Sequence, residues 1–150
     1  MKNLVIGQSG GPTAVINASL YGAVKAFKES GTDGHVLGMI NGIEGFLADH
    51  VMDLSTDLSD EELELLKLTP AAYLGSCRYK LPADLESEVY PAIFDNFREM
   101  NIGYFLYVGG NDSMDTVDKL SRYAEKIGSD VKFIGIPKTI DNDLVLTDHT

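Results

Sequence analysis

Tyr104-Phe105-Leu106-Tyr107-Val108-Gly109-Gly110-Asn111-Asp112-Ser113 carries the strongest fold signal in the chain. Its first five residues are apolar or aromatic without a break and stop at a glycine pair, as a strand buried on both faces does. Beyond it, Val117, Leu120, Ala124 and Ile127 recur at helical spacing, which predicts a helix from about Ser113 to Ile127. Strand, glycine turn and helix in that order make half of a βαβ unit. Gly109 and Gly110 would let a ligand approach the backbone, while Asn111, Asp112 and Ser113 offer an amide, a carboxylate and a hydroxyl where the helix begins. Asp112 or Ser113 is also suited to cap that helix.

The same grammar recurs on either side. Downstream, Val131, Phe133, Ile134 and Ile136 read as a buried parallel strand ending at Pro137, followed by Lys138-Thr139-Ile140-Asp141-Asn142-Asp143. Asp141 and Asp143 share a side if the loop is extended, so one could hold a metal while the other takes a proton. An exposed polar turn explains the same residues. Upstream, Leu4-Val5-Ile6 runs into Gly7-Gln8-Ser9-Gly10-Gly11-Pro12, and Thr13 to Glu29 reads as a helix with Ile16, Ala23 and Phe27 among its apolar residues. Pro12 suits the first helical turn. Backbone donors and the helix dipole there could bind an anion, although a tight βα turn alone would also use these glycines. The spacing matches neither a Walker A loop nor a clean Gly-x-Gly-x-x-Gly.

Between these units, His35 to Ile40 predicts a second strand and Asn41 to Gly45 a turn. Ser59-Asp60-Glu61-Glu62 is a capping box for a short helix ended by Pro70, and Leu85 to Met100 is a helix whose Phe94 and Phe97 belong to the core. Leu74-Gly75-Ser76-Cys77-Arg78-Tyr79-Lys80 displays two cations in an acidic chain. An arginine fork matches phosphate oxygens, and a solvated surface pair is the alternative. With parallel strands, the loops near residues 7, 109 and 137 lie on one edge of the sheet. The expected fold is α/β: an open, mostly parallel sheet flanked by helices on both faces.

At 150 residues the chain suffices for one domain. A net charge of -11 argues against nucleic acid or an anionic membrane as the main partner. The single cysteine, Cys77, can form no internal disulfide, and with no His beside it in sequence it reads as a small packing residue. No signal-like apolar stretch follows Met1-Lys2-Asn3, and no run is long enough to span a bilayer, so the expected location is the cytoplasm.

Taken together, the motifs resemble those of the phosphofructokinase family. Gly7 to Pro12 is similar to its first glycine loop, Gly75-Ser76-Cys77-Arg78 to its phosphate-contacting arginine turn, and Gly109 to Ser113 to its Gly-Gly-Asp-x-Ser metal and donor loop. Pro137 to Asp143 resembles the catalytic loop, and Thr147-Asp148-His149-Thr150 the start of the segment after it. The resemblance covers the whole chain in the family's order. It implies the Rossmann-like N-terminal domain of a glycolytic enzyme that phosphorylates the 1-hydroxyl of fructose 6-phosphate, with Mg2+ as cofactor.

Members with aspartate at the position of Asp112 use pyrophosphate, and those with glycine there use ATP. Lys138 likewise replaces a glycine common in ATP-using members, so pyrophosphate is the implied donor, with ATP as the alternative. By the same resemblance Asp141 is the general base, Thr139, Ile140 and Asp143 position sugar and metal, and Lys138 stabilises the transferring group. Gly10, Gly11, Arg78, Gly110, Asp112 and Ser113 hold the donor. Asn111 stands where the family usually has an aspartate, which weakens it as a metal ligand. Full members are much longer and are expected to be homo-oligomers, so the chain reads as an N-terminal part with little or no turnover alone. A non-catalytic doubly wound binding module is the reading from another class.

Overall fold

In the computed structural model, residues 2–139 together with Val145 and Leu146 are described. Ile140, Asp141 and Asp143, expected in the catalytic loop, lie outside the described residues. Among the described residues, ten strands and α-helices follow one another: β1 (Asn3–Gln8), α1 (Ala14–Glu29), β2 (Val36–Met39), α2 (Gly42–Leu47), β3 (Val51–Asp53), α3 (Asp60–Leu65), α4 (Val89–Glu99), β4 (Ile102–Gly109), α5 (Asn111–Ile127) and β5 (Lys132–Pro137), with a 3-10 turn at Leu66–Leu68 continuing α3. They build one five-stranded sheet in the order β3-β2-β1-β4-β5. β1 pairs in parallel with both β2 and β4, and β4 in parallel with β5. β3 is antiparallel to β2, so the sheet is mixed and mostly parallel.

The chain leaves β1 towards β2 on one side and returns to β4 on the other. This reversal makes the carboxyl ends of β1 and β4 a topological switch point, where the loops diverge and leave a crevice. Each face of the sheet has its own core. On one, Val5, Met39, Phe105 and Tyr107 pack against Phe46 of α2, Phe94 and Phe97 of α4, and Leu120 and Tyr123 of α5. Phe94 sits edge-on to both Phe97 and Tyr123, at 5.0 and 5.1 Å between ring centres, so these aromatics are core as expected. On the other face Leu4, Ile6, Val36 and Val108 meet Ile16, Leu20 and Val24 of α1 and Leu63 of α3. No helix among the described residues is long and apolar enough to cross a membrane.

The structure differs from expectation in four places. β3 is too short to show a two-residue alternation and escapes sequence reading. Gly42 to Gly45, read as a turn, belong to α2, because Asn41 and Gly42 both adopt positive φ (58° and 61°) and redirect the chain into a helix. The helix predicted from Leu85 begins only at Val89. β5 is parallel but lies at the sheet's edge rather than buried within it: Ile134 is 52% exposed. Its apolar run fits a strand covered on both faces; here Gly135 meets Met114 of α5 and Phe133 meets Phe94 and Phe97 of α4 on one face, while Ile134 on the other is open.

The capping box of α3 forms as expected. Ser59 Oγ accepts from the Glu62 amide, and the Glu62 carboxylate accepts from the Ser59 amide. At the amino end of β2, His35 Nδ1 lies 2.6 Å from Asp53 Oδ2, and Ser55 donates both its N-H and its hydroxyl to Asp53 Oδ1. Partial burial pushes the Asp53 carboxyl up, but the bonds from Ser55 and His35 outweigh it and hold its pKa below the ordinary value. A depressed folded pKa gives stability that is present above the unfolded value and lost as pH falls through the folded one. Asp53→Asn should therefore cost about 1 kcal/mol at neutral pH and nothing in strong acid. Urea unfolding at pH 7 and below about pH 3 measures the difference; a cost that does not change with pH would refute the linkage.

Candidate functional site

Three strand-end loops meet at the switch point. Lys138, just past β5, donates its backbone N-H to Gly109 O at 2.8 Å, which holds it against the end of β4. Its side chain then crosses to the first glycine loop, where Nζ donates to Gly11 O at 2.7 Å. Gly10 has φ of +79°, and a Cβ there would lie 3.6 Å from Lys138 Nζ and 3.7 Å from the Gly110 amide nitrogen. The loops after β1, β4 and β5 are thus within contact of one another around bare backbone.

Gly109 is required by space rather than by its φ. A Cβ on it would fall 2.0 Å from Ser113 Oγ and 2.8 Å from Ser9 O. α5 begins at Asn111, with Gly110 as the extended N-cap and no side-chain cap. The expected capping by Asp112 or Ser113 does not occur, because both residues lie in the first turn itself. Ser113 is 2% exposed, turned down against Gly109, and Asp112 turns outward to Lys80, 3.0 Å from Nζ to Oδ1. The first amides of a helix have no partner inside it, so this end of α5 presents donors and a positive dipole to the crevice.

The arginine turn closes the fourth side. Ser76 Oγ donates to Gly10 O at 2.8 Å, and Ser9 Oγ to Cys77 O at 3.3 Å, so the turn carrying Arg78 is strapped to the glycine loop. Beneath it lies a buried polar cluster. Gln8 and Asn17, both fully buried, join through Gln8 Nε2 to Asn17 Oδ1 at 2.9 Å. The Leu74 amide donates to Gln8 Oε1, the Tyr73 amide to Asn17 Oδ1, and Asn17 Nδ2 to Thr69 O. Cys77 is buried, with Sγ 3.8 Å from the Tyr107 hydroxyl, and burial pushes the Tyr107 phenol well above its usual range, so it stays protonated.

Together these parts enclose a cleft of about 1110 Å³. Gly10, Gly11, Arg78, Gly110, Asn111, Asp112, Ser113 and Lys138 all line it. Thr139 follows Lys138 and is partly buried. Among the cleft's lining residues the cations Arg78, Lys80 and Lys138 outnumber the carboxylates Glu44 and Asp112, in a chain of net charge -11. Sequence reasoning missed Gln8 and Asn17 as supports. Asn17 carries the available signal, a polar side chain one residue from Ile16 on an otherwise apolar helix face.

Magnesium can be tested against the donor set. Among the described residues no three His, Cys, Asp or Glu side chains are grouped to hold a metal ion. Asn111 offers one neutral amide oxygen, and the Asp112 carboxylate is engaged by Lys80. This suits an ion that keeps most of its waters and takes its remaining oxygens from a phosphate ligand, which is magnesium's usual habit.

Backbone amides, a helix start and cations at the switch point of a mostly parallel sheet form a crevice suited to an anion in a doubly wound α/β domain. Residues 3–150 match the family Phosphofructokinase, and the chain belongs to that family. It is 44% identical over 99% of its length to the pyrophosphate--fructose 6-phosphate 1-phosphotransferase of Halomonas elongata, of which it spans 36%. The enzyme of the same name from Rhodospirillum rubrum is 42% identical over 98% of the chain, which spans 35% of it. A crystal structure of pyrophosphate-dependent phosphofructokinase from Nitrosospira multiformis superposes with a TM-score of 0.89 at 41% identity, covering 99% of this chain and 36% of that one. The chain therefore spans about a third of the length of these relatives.

Proposed function

We propose that this chain is the donor-side portion of a pyrophosphate-dependent 6-phosphofructokinase, with Mg2+ as cofactor. The observation that carries this is the position of Lys138, whose ammonium reaches Gly11 while Asp112 stands on the adjoining turn. Both residues that go with pyrophosphate in the family thereby face one cleft. A diphosphate fits the amides and the cations Arg78 and Lys138; a nucleotide would have to pass the Asp112 carboxylate with its α-phosphate.

In the reaction, the 1-hydroxyl oxygen of fructose 6-phosphate bonds to one phosphorus of pyrophosphate and the bridging P-O bond breaks. Orthophosphate leaves, fructose 1,6-bisphosphate forms, and Asp141 takes the hydroxyl proton as general base. Lys138 neutralises charge on the transferring phosphoryl oxygens, and the amides of Gly10, Gly11 and Gly110 with Arg78 hold the donor's other end. Asn111 and water would complete the shell of magnesium brought by the diphosphate; the ion supplies charge neutralisation across the phosphate oxygens. Residues that grip most of the sugar phosphate belong to parts of the relatives that this chain does not span.

Calorimetric titration of the 150-residue chain with pyrophosphate, with and without magnesium, tests the proposal. The expected result is magnesium-dependent binding that ATP competes for poorly, with little or no turnover when fructose 6-phosphate is added. Absence of diphosphate binding in either condition, or stronger binding of ATP, would refute it.

A further inference from the structure

Lys80 has no role in the function proposed above, yet its surroundings are fixed on both sides. Its carbonyl neighbour Leu81 is buried, and Leu81 O accepts from Lys119 Nζ of α5 at 3.0 Å. Lys119 is itself held one turn back by Asp115, at 2.6 Å. Two residues upstream of Arg78, Ser76 is tied to the glycine loop through Gly10 O. The segment bearing Lys80 is therefore docked at one end on the helix that carries Asp112 and at the other on the donor loop. From it, the ammonium meets Asp112 Oδ1 at 3.0 Å, at the mouth of the cleft.

An ion pair this exposed, 69% and 74% for the two side chains, adds little to folding. Its consequence is electrostatic. An unpaired Asp112 would face the donor phosphates as a like charge, and diphosphate is the more highly charged donor per atom. Paired, the carboxylate keeps its bulk and its hydrogen-bonding edge while much of its field is cancelled.

We infer that Lys80 is a positioning residue for donor specificity: it holds and neutralises Asp112, so that Asp112 can narrow the site against nucleotide without opposing diphosphate. This rests on the donor-site assignment made above. It predicts that Lys80 matters only while Asp112 is present.

Calorimetry of the 150-residue chain with magnesium pyrophosphate provides the test, using Lys80→Met, Asp112→Ala, the double variant and Lys80→Arg. Lys80→Met should weaken binding about tenfold, the effect of exposing one like charge to the ligand. In the Asp112→Ala background the same change should alter it by less than about twofold, and Lys80→Arg should restore most of the loss in the otherwise unaltered chain. Thermal melting should be unchanged in every variant, which separates the effect from loss of fold. An equal loss in both backgrounds would mean that Lys80 grips the diphosphate itself, and no loss in either would leave a surface ion pair; both overturn the inference while the donor site stands. Failure of the unaltered chain to bind magnesium pyrophosphate overturns the donor site and the inference together.

Discussion

Lys138→Met in an enzyme of full family length is expected to lower turnover with pyrophosphate by about 10²- to 10³-fold, the effect of removing one preorganised donor from a charge-developing site. In the 150-residue chain it should weaken magnesium pyrophosphate binding about tenfold. Methionine keeps the unbranched stem that crosses from β5 to the glycine loop and removes only the ammonium. Lys138 Nζ donates to Gly11 O, and an ammonium carries two further protons for a ligand in the cleft that Lys138 lines. The backbone bond from Lys138 N to Gly109 O is untouched by the change, so the loop should keep its place. The thermal midpoint should accordingly fall by no more than about 3 °C, equivalent to roughly 1 kcal/mol. Single-turnover kinetics with pyrophosphate would measure the first effect. Turnover within about threefold of the unaltered enzyme would remove Lys138 from the transferring-group role.

Much of this arrangement was legible in the residues, for reasons that also explain what was not. The strands at Leu4-Val5-Ile6 and Tyr104 to Val108 are read from unbroken apolar runs because a parallel strand under helices on both faces has no wet side. That the loops after β1, β4 and β5 share one edge of the sheet followed from parallelism alone, while their contact depends on the strand order β1-β4-β5, which the residues do not spell out. Donor choice, in contrast, was legible only through likeness to the family: nothing in the spacing of Asp112 or Lys138 by itself distinguishes a diphosphate from a nucleotide. β3 escaped notice because three residues carry no period, and α2 because its start depends on two consecutive positive φ angles at Asn41 and Gly42, which sequence reads as a turn. The edge position of β5 could not be read either. Val131, Phe133, Ile134 and Ile136 record the burial that a strand can have, and Ile134 shows that only part of it is realised among the described residues.

Asn17→Leu is expected to destabilise the chain by about 3–5 kcal/mol, a large share of the stability of an ordinary domain. Leucine matches asparagine in size and would suit the apolar face of α1 beside Leu20, so a solely hydrophobic account predicts little harm. The hydrogen-bond account predicts the opposite. Asn17 Oδ1 accepts from Gln8 Nε2 at 2.9 Å and from the Tyr73 amide at 2.8 Å, and its Nδ2 donates to Thr69 O at 2.8 Å. Leucine would leave three polar groups short of a partner in or near a fully buried site, each costing about 1–3 kcal/mol unless water enters or the chain relaxes. The damage should also reach the ligand. Residues 69–74 lead directly into the turn that carries Arg78, and their anchors are Asn17 and the Gln8 carbonyl that accepts from Leu74. Diphosphate affinity should therefore fall even at temperatures where the variant remains folded. Urea unfolding measures the first effect, and combining Asn17→Leu with Gln8→Leu tests its cause. With both side chains apolar, one orphaned donor disappears along with its partner, so the double variant should lose less stability than the two single losses added together. Additive losses, or a loss below about 1 kcal/mol for Asn17→Leu alone, would show that Gln8 and Asn17 do not act as the joint that fixes the arginine turn to the glycine loop.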